Sequence, residues 1–480
     1  MKRLPKACFP ILCLLLAVFL TAPLWVLPVF GAISPRNSHE NDYTAAIVDK
    51  YDRLNSIKGK KIVFVGGSSL PFGLRCGLIE EELPGYSAVD FGLYAALGTV
   101  VMMDLSLSGI REGDLVILAP ETDPQLYSDF FTPRLFRTSI GDRTDLLDSL
   151  SQKRRDQVRY AYYPVLFDRV RDRKNPLVPE SELYARSSLN EYGDMAVARR
   201  RNQMADGYDA SQTVALSSLN NQTFFDEVNA YAEKVREKGA TLLFWFPPIN
   251  REAVGFTDRE AEKFDKLLAS KLDCPLLGSV KDTVYDSAYF YDSNYHLNDA
   301  GTTLHTATTL LKLKAYLGME ETVGFEIEVP PIETYRLASD GVFLYRVSTR
   351  EAALDGVEES ALGSLTDLTV PETFENPETH EVLPVTMIRS GCFTGCRNLT
   401  SLTVPACIRS IGSEVFTDCP KLTEIRILGR APSEVDIPTT GLFDGASPSL
   451  KVYVPKGTLS TYLANYDWQK YGDWLTESPE

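Results

Sequence analysis

Two short segments, far apart in the chain, hold the residue types that can do chemistry. Lys61-Ile-Val-Phe-Val-Gly-Gly-Ser-Ser-Leu-Pro-Phe-Gly73 is an apolar run that stops at a glycine pair and presents Ser68, with Ser69 beside it. Phe290-Tyr-Asp-Ser-Asn-Tyr-His-Leu-Asn-Asp-Ala-Gly301 supplies an acid, Asp292, and His296 just ahead of a helical pattern. A serine hydroxyl becomes a nucleophile when a base takes its proton, and the base needs a third group to orient it. The chain has 4 histidines, His39, His296, His305 and His380, and only His296 stands in a motif able to serve that purpose.

The elements around these segments are expected to bring them together. Lys61–Val65, Ala88–Phe91, Leu115–Ala119 and Thr241–Phe246 read as strands, alternating with helical stretches such as Gly77–Leu83 and Ala95–Leu107. That alternation implies an α/β domain whose parallel sheet is covered by helices on both faces. Sites in such sheets lie at the carboxyl ends of the strands. Ser68, Gly92, Glu121 and Pro247 each follow directly on a strand, so they should converge on one edge. Glu121 there is either a loop acid or helix cap, or a group that meets substrate or His296. Residues 124–225, rich in Tyr, Arg and Asp, interrupt the alternation and read as a helical insertion overhanging that edge.

The flanking regions are of other kinds. Residues 7–32 carry no charge and follow Lys2, Arg3 and Lys6. That is long enough to span a bilayer, with the positive flank inside and the bulk of the chain outside. A cleaved signal peptide, with Val29 and Gly31 near the cut, is the competing reading and would make the protein secreted. Residues 33–57 read as a polar stalk with helical character near Asp42–Leu54, 58–318 as the α/β domain and 319–340 as an acidic linker. In the tail, Ile388, Phe393, Cys396, Leu399, Leu402 and Val404 recur as Ile411, Phe416, Cys419, Leu422, Ile425 and Ile427, each 23 positions on. A fixed period with apolar residues in fixed slots signals a solenoid, here over residues 341–480 with a divergent last copy as its cap. Its own buried core should let residues 33–318 fold and act alone.

The net charge of −16 argues against nucleic acid as a partner. Basic residues cluster from Lys153 to Arg201 as either a solvated face or a surface for anionic lipid or polymer. The 8 cysteines form no CxxC pair and no zinc-binding pattern, and are expected to be mostly buried thiols.

Two resemblances add to this. The tail, about residues 360–457, resembles the BspA-like leucine-rich repeats of bacterial surface proteins, which implies a protein or glycan ligand or a structural spacer. Residues from about Lys58 to Gly318 resemble the SGNH (GDSL-like) hydrolase superfamily, which implies a flavodoxin-like sheet and serine ester chemistry. The first block's Gly-Asp-Ser appears as Gly66-Gly67-Ser68, with Gly in place of Asp, and Ser69 as the alternative nucleophile. The second block's glycine maps to Gly92, whose N–H would hold an oxyanion together with that of Ser68. The third block's Gly-x-Asn-Asp is replaced by Ala119-Pro-Glu-Thr-Asp123, which removes a donor of the kind worth about 10²–10³ in rate. The last block appears as Asp292-Ser-Asn-Tyr-His296-Leu-Asn298, with the acid one residue further from the histidine than usual. Either a bulge absorbs the extra residue or Asn294 orients the ring. Phe246-Pro-Pro-Ile-Asn250 resembles a cleft-lining segment, with Asn250 as a substrate contact.

The implied function is a membrane-anchored, extracytoplasmic esterase or O-acyltransferase acting on an acylated cell-envelope glycan or polymer, similar to proteins of teichoic-acid alanylation and polysaccharide acetylation. Such chemistry needs neither metal nor organic cofactor. The competing function is a surface adhesin whose hydrolase-like domain is inactive.

Overall fold

The computed structural model describes residues 39–479, and Ala17, apart from 172–180, 205–206, 210, 328–335, 349–350, 378–379, 413, 430, 433–434, 436, 438–440 and 466–467. The expected membrane anchor and the cleavage site near Val29 and Gly31 lie outside these residues, Ala17 excepted. Among the described residues no helix is long and apolar enough to cross a membrane.

Four strands make the central sheet: β1 (Lys61–Gly66), β2 (Ser87–Gly92), β3 (Leu115–Ala119) and β4 (Thr241–Phe244). All pairs are parallel, in the order β2-β1-β3-β4. Every residue of β1 and β3 is buried. A parallel sheet covered on both faces excludes water from both sets of side chains, which is why these strands are continuous apolar runs. Gly66 lies level with both Gly92 and Ala119, so three strands end together and their following residues share one edge. A short parallel pair, β5 (Ile249–Asn250) with β6 (Val284–Tyr285), lies beyond β4 in the chain.

The helix Asp299–Leu317 starts where Asn298 accepts the Gly301 N–H and stops at Gly318, which takes the left-handed conformation. Its cap fixes where the preceding His296 can lie. Residues 43–56 have the expected helical character but pack into the domain and do not stand off it as a stalk. They form a 3-10 turn, Tyr43–Ala46, and a helix, Ile47–Ser56, whose Tyr43, Ile47 and Leu54 are buried in the α/β core. The apolar positions of that helix recur at helical spacing, and β2 receives them.

The insertion is only partly helical. Pro133–Ser139 and Gln152–Arg171 are helices, and the described residues from 181 to 221 are mainly irregular. Its basic residues are largely occupied. Lys153 pairs with Asp129, Arg154 with Asp104 and Glu227, and Arg169 with Asp142. These pairings favour a solvated, ion-paired surface over one open to an anionic polymer.

A second sheet system follows. β7 (Arg336–Ser339), β8 (Phe343–Val347) and β9 (Ala352–Val357) form an antiparallel meander. β7 lies inside the segment expected to be linker. After it come β10 (Asp367–Thr369), β11 (Thr373–Glu375), β12 (Val382–Ile388), β13 (Ser401–Val404), β14 (Ser410–Ile411), β15 (Glu424–Ile427), β16 (Lys451–Val454) and β17 (Leu475–Glu477). β10, β13, β15, β16 and β17 stack in parallel in that order. The 23-residue period sets Leu402 beside Ile425 and Val404 beside Ile427, and these side chains are buried. Phe393, Phe416 and Phe443 stack at 6.1 and 6.2 Å between centroids, one ring per turn. Cys392, Cys396 and Cys419 fill the same core as free thiols, and Cys76 and Cys274 are free and buried in the α/β domain.

Candidate functional site

The carboxyl edge of the sheet carries a hydrogen-bonded relay. Ser68 Oγ lies 2.8 Å from His296 Nε2, and His296 Nδ1 lies 2.7 Å from Asp292 Oδ1. Ser68 leaves β1 on a turn in which the Phe72 N–H donates to Ser68 O and the Gly73 N–H to Leu70 O. The turn has no room for side chains at its glycines. A Cβ on Gly67 would lie 2.6 Å from Glu121 Oε1, and one on Gly92 would lie 2.5 Å from Leu70 Cβ.

The acid–histidine loop is closed at its base by the Tyr291 N–H donating to His296 O, with Phe290 bridged to Leu297. Inside it, Ser293 Oγ accepts the N–H groups of Tyr295 and His296. That hydroxyl takes up the added residue between Asp292 and His296, so Asp292 reaches the ring. Asn294 does not. Its side chain is spent on residues 209–212, accepting the Asp209 N–H and donating to the carbonyls of Asp209 and Gln212. Asn250 is engaged in the same manner, accepting the Glu252 N–H and donating to Gly207 O. Both asparagines are fully buried braces of the loop, not groups presented to a ligand.

Three residues complete the relay's surroundings. The Tyr184 hydroxyl donates to Asp292 Oδ2 at 2.6 Å, so each oxygen of that carboxylate has its own partner. Phe72 stacks on His296 at 3.9 Å between centroids and 13° between planes. The buried Arg199 guanidinium lies over the Phe72 ring, 5.3 Å from its centroid, and donates through Nε to Leu297 O. Burial pushes the Asp292 carboxyl up, but the His296 charge and the hydrogen bonds from His296, Tyr184 and the backbone outweigh it, holding the group below its ordinary value. An ionised Asp292 fixes the tautomer with hydrogen on Nδ1, which leaves Nε2 free to accept the serine proton.

Glu121, at the exit of β3, is buried beside Ser68. Its Oε1 accepts the Ser69 N–H at 2.8 Å and lies 3.1 Å from Ser68 Oγ. The Ser68 hydroxyl has one proton and two acceptors, His296 and Glu121. Ser69 itself is 0% exposed and its Oγ meets no hydrogen-bond partner among the described residues, whereas Ser68 Oγ reaches His296. The Gly92 N–H, expected to hold an oxyanion, instead donates to Asp90 Oδ1 at 2.7 Å. Asp90 is held by Lys50, whose Nζ is 3.1 Å from its carboxylate and 2.7 Å from Gly193 O. Burial raises the Asp90 carboxyl to about 7, with Asp194 adding to the rise and Lys50 opposing it. Of the two expected oxyanion donors, Ser68 N–H is the one that meets no acceptor among the described residues.

Residues 365–463 match the family described as BspA type Leucine rich repeat region, in 6 copies. These residues are BspA-like leucine-rich repeats. A crystal structure of a leucine-rich repeat protein from Bacteroides ovatus ATCC 8483 is 20% identical over 29% of this chain and 28% of that one, with a TM-score of 0.15. This chain therefore spans well under half of that protein's length, and the likeness carries nothing about function. No curated protein matches the chain.

Sequence reasoning missed Tyr184, Phe72, Arg199 and Lys50. Phe72 and Lys50 lay within segments read for other features. Tyr184 and Arg199 lie in the insertion, where no periodicity or motif distinguishes an inward side chain from an outward one. Arg199 was hidden in Arg199-Arg-Arg201, a run that reads as surface charge.

Proposed function

We propose that the α/β domain carries out serine-dependent acyl chemistry of the SGNH-hydrolase kind, as an ester hydrolase or O-acyltransferase. The observation that carries this reading is the continuous Ser68–His296–Asp292 relay, with contacts of 2.8 and 2.7 Å. His296 Nε2 takes the Ser68 proton as Oγ attacks the ester carbonyl, and the imidazolium is stabilised by Asp292. The tetrahedral intermediate collapses, the alcohol leaves with the proton from His296, and the acyl group stays on Ser68. Water or a sugar hydroxyl then gives its proton to His296 and takes the acyl group. No step calls for a metal or organic cofactor.

The departures from the resembled motif support one another. Glu121 occupies the space that an Asp side chain at position 67 would need, so Gly67 and Glu121 make sense as a pair. The proposed substrate is an acylated cell-envelope glycan or polymer. This part rests on the resemblance, on the apolar N-terminal segment expected to carry the rest of the chain across the membrane, and on repeats of a surface-protein type that would offer a protein or glycan ligand.

A second reading is a surface adhesin with an inactive domain. The engagement of the Gly92 N–H by Asp90 and a carboxylate in place of an oxyanion donor favour it. Turnover of a small acetyl ester separates the two. The catalytic reading predicts hydrolysis by the wild-type chain and its loss in Ser68→Ala. Equal rates for the two proteins, or none above buffer, would leave the adhesin.

A further inference from the structure

The segment 199–203 touches the acid–histidine loop on one side and the repeat module on the other. Toward the loop, Arg199 and Asp299 exchange bonds, with the Arg199 N–H on Asp299 Oδ2 and the Asp299 N–H on Arg199 O, both 2.9 Å. Arg199 Nε donates to Leu297 O at 3.0 Å, next to His296. The Gln203 N–H donates to Tyr291 O at 2.6 Å, next to Asp292. The Asn202 side chain donates to Ser287 O at 2.6 Å. The loop is thus gripped at both flanks of its acid and its base.

Toward the repeats, side chains two apart point the other way. Arg201 forms a two-pronged contact with Glu351, 2.9 Å to Oε1 and 3.3 Å to Oε2. Gln203 Oε1 accepts from Ser410 Oγ at 3.3 Å. Glu351 immediately precedes β9 and also accepts from Thr386 Oγ1 of β12 at 2.6 Å, so it is anchored within the repeat module's sheet. The α/β core and the repeat core are separate apolar clusters, so this junction between them is polar. Forked pairing fixes orientation as well as distance.

We propose that the repeat module, through Glu351 and Ser410, holds the acid–histidine loop in register with Ser68, and that Arg201 and Gln203 are positioning residues for the acyl chemistry. This rests on the acyl-transfer reading of the site. Displacing a reacting group by about 1 Å can cost on the order of a hundredfold in rate. It also revises the expectation that residues 33–318 act alone, since that fragment leaves the Arg201 and Gln203 side chains without Glu351 and Ser410.

The test uses the full chain and four proteins: wild type, Arg201→Glu, Glu351→Arg and the double charge swap. Each is measured for kcat and KM on a small acetyl ester, for its rate of labelling by a fluorophosphonate, and for its unfolding transition. The expected result is a fall in kcat and in labelling rate of tenfold or more in each single variant, with KM and unfolding little changed, and recovery in the double swap. Arg201→Ala serves as the milder variant should a reversed charge disturb folding, and the same fall in kcat is expected of it. A folded Arg201→Ala chain with wild-type kcat and labelling overturns the positioning role alone. A wild-type chain that neither turns over nor takes the label overturns the acyl-transfer reading and this inference with it.

Discussion

At Ser68 the decisive feature is competition for one proton. His296 Nε2 and Glu121 Oε1 both lie within hydrogen-bond reach, at 2.8 and 3.1 Å. A carboxylate this close to Ser68 Oγ would repel the negative charge that an attacked carbonyl oxygen gains. Glu121→Gln keeps an acceptor for the Ser69 N–H and removes that charge, so turnover of a small ester should rise, by about tenfold if the amide also donates to the oxyanion; a loss of activity would make the carboxylate itself a participant. Asp292→Asn should lower turnover by up to about 10⁴, the scale of a wrong-tautomer effect. Asn294→Ala should act through stability, because its side chain holds backbone groups of residues 209–212. Equal turnover of Asp292→Asn and wild type would pass the orienting role to another group. The depressed Asp292 pKa also has a pH signature. A carboxyl whose folded value lies below its unfolded value of about 3.9 adds stability above that pH, and the contribution is lost as pH falls through the folded value. Acid unfolding curves of wild type and Asp292→Asn should therefore start to approach one another as pH falls below about 4, and meet only once pH is below the folded value. Ser68, His296 and Asp292 were legible because their types are rare in such settings and their motifs are local. Tyr184 and Arg199 were not, since only a folded insertion brings them to the loop.

Among elements, the sheet was the most legible part of the chain. Four apolar runs with turn residues after them give four parallel strands, and the shared end of three of them follows from register. The helical pattern expected after His296 is the helix Asp299–Leu317, which the structure bounds with an Asn298 cap and a Gly318 stop. The helix Ile47–Ser56 falls where helical character is expected, but its packing against the sheet is not legible, because polar residues dominate its composition although its apolar positions share one face. Lys50 shows what that helix does for the edge: it fixes Asp90, which takes the Gly92 N–H. The strand exits have little tolerance. Gly92→Ala sets a Cβ 2.5 Å from Leu70 Cβ and 2.6 Å from Gly67 O, directly under the nucleophile turn. Overpacking of this kind costs about 1–3 kcal/mol. Denaturant melts should show that loss, with turnover falling as well; a variant as stable and active as wild type would mean that the turn yields freely.

For the whole molecule, two cores with different architectures meet through polar contacts. The repeats are recognisable from sequence because every turn must bury the same slots, so the period survives while surface residues drift. The junction was not legible, since Arg201, Gln203, Glu351 and Ser410 carry no pattern that marks them as partners. The account of the α/β domain rests on one claim, that Ser68 is a nucleophile activated by His296. The most direct test is mass spectrometry of the folded chain after exposure to a fluorophosphonate, which modifies only an activated serine. A single adduct on Ser68, absent from His296→Ala, is the expected result. An adduct on Ser69, an adduct on Ser68 that survives loss of His296, or no adduct on the native protein would contradict it.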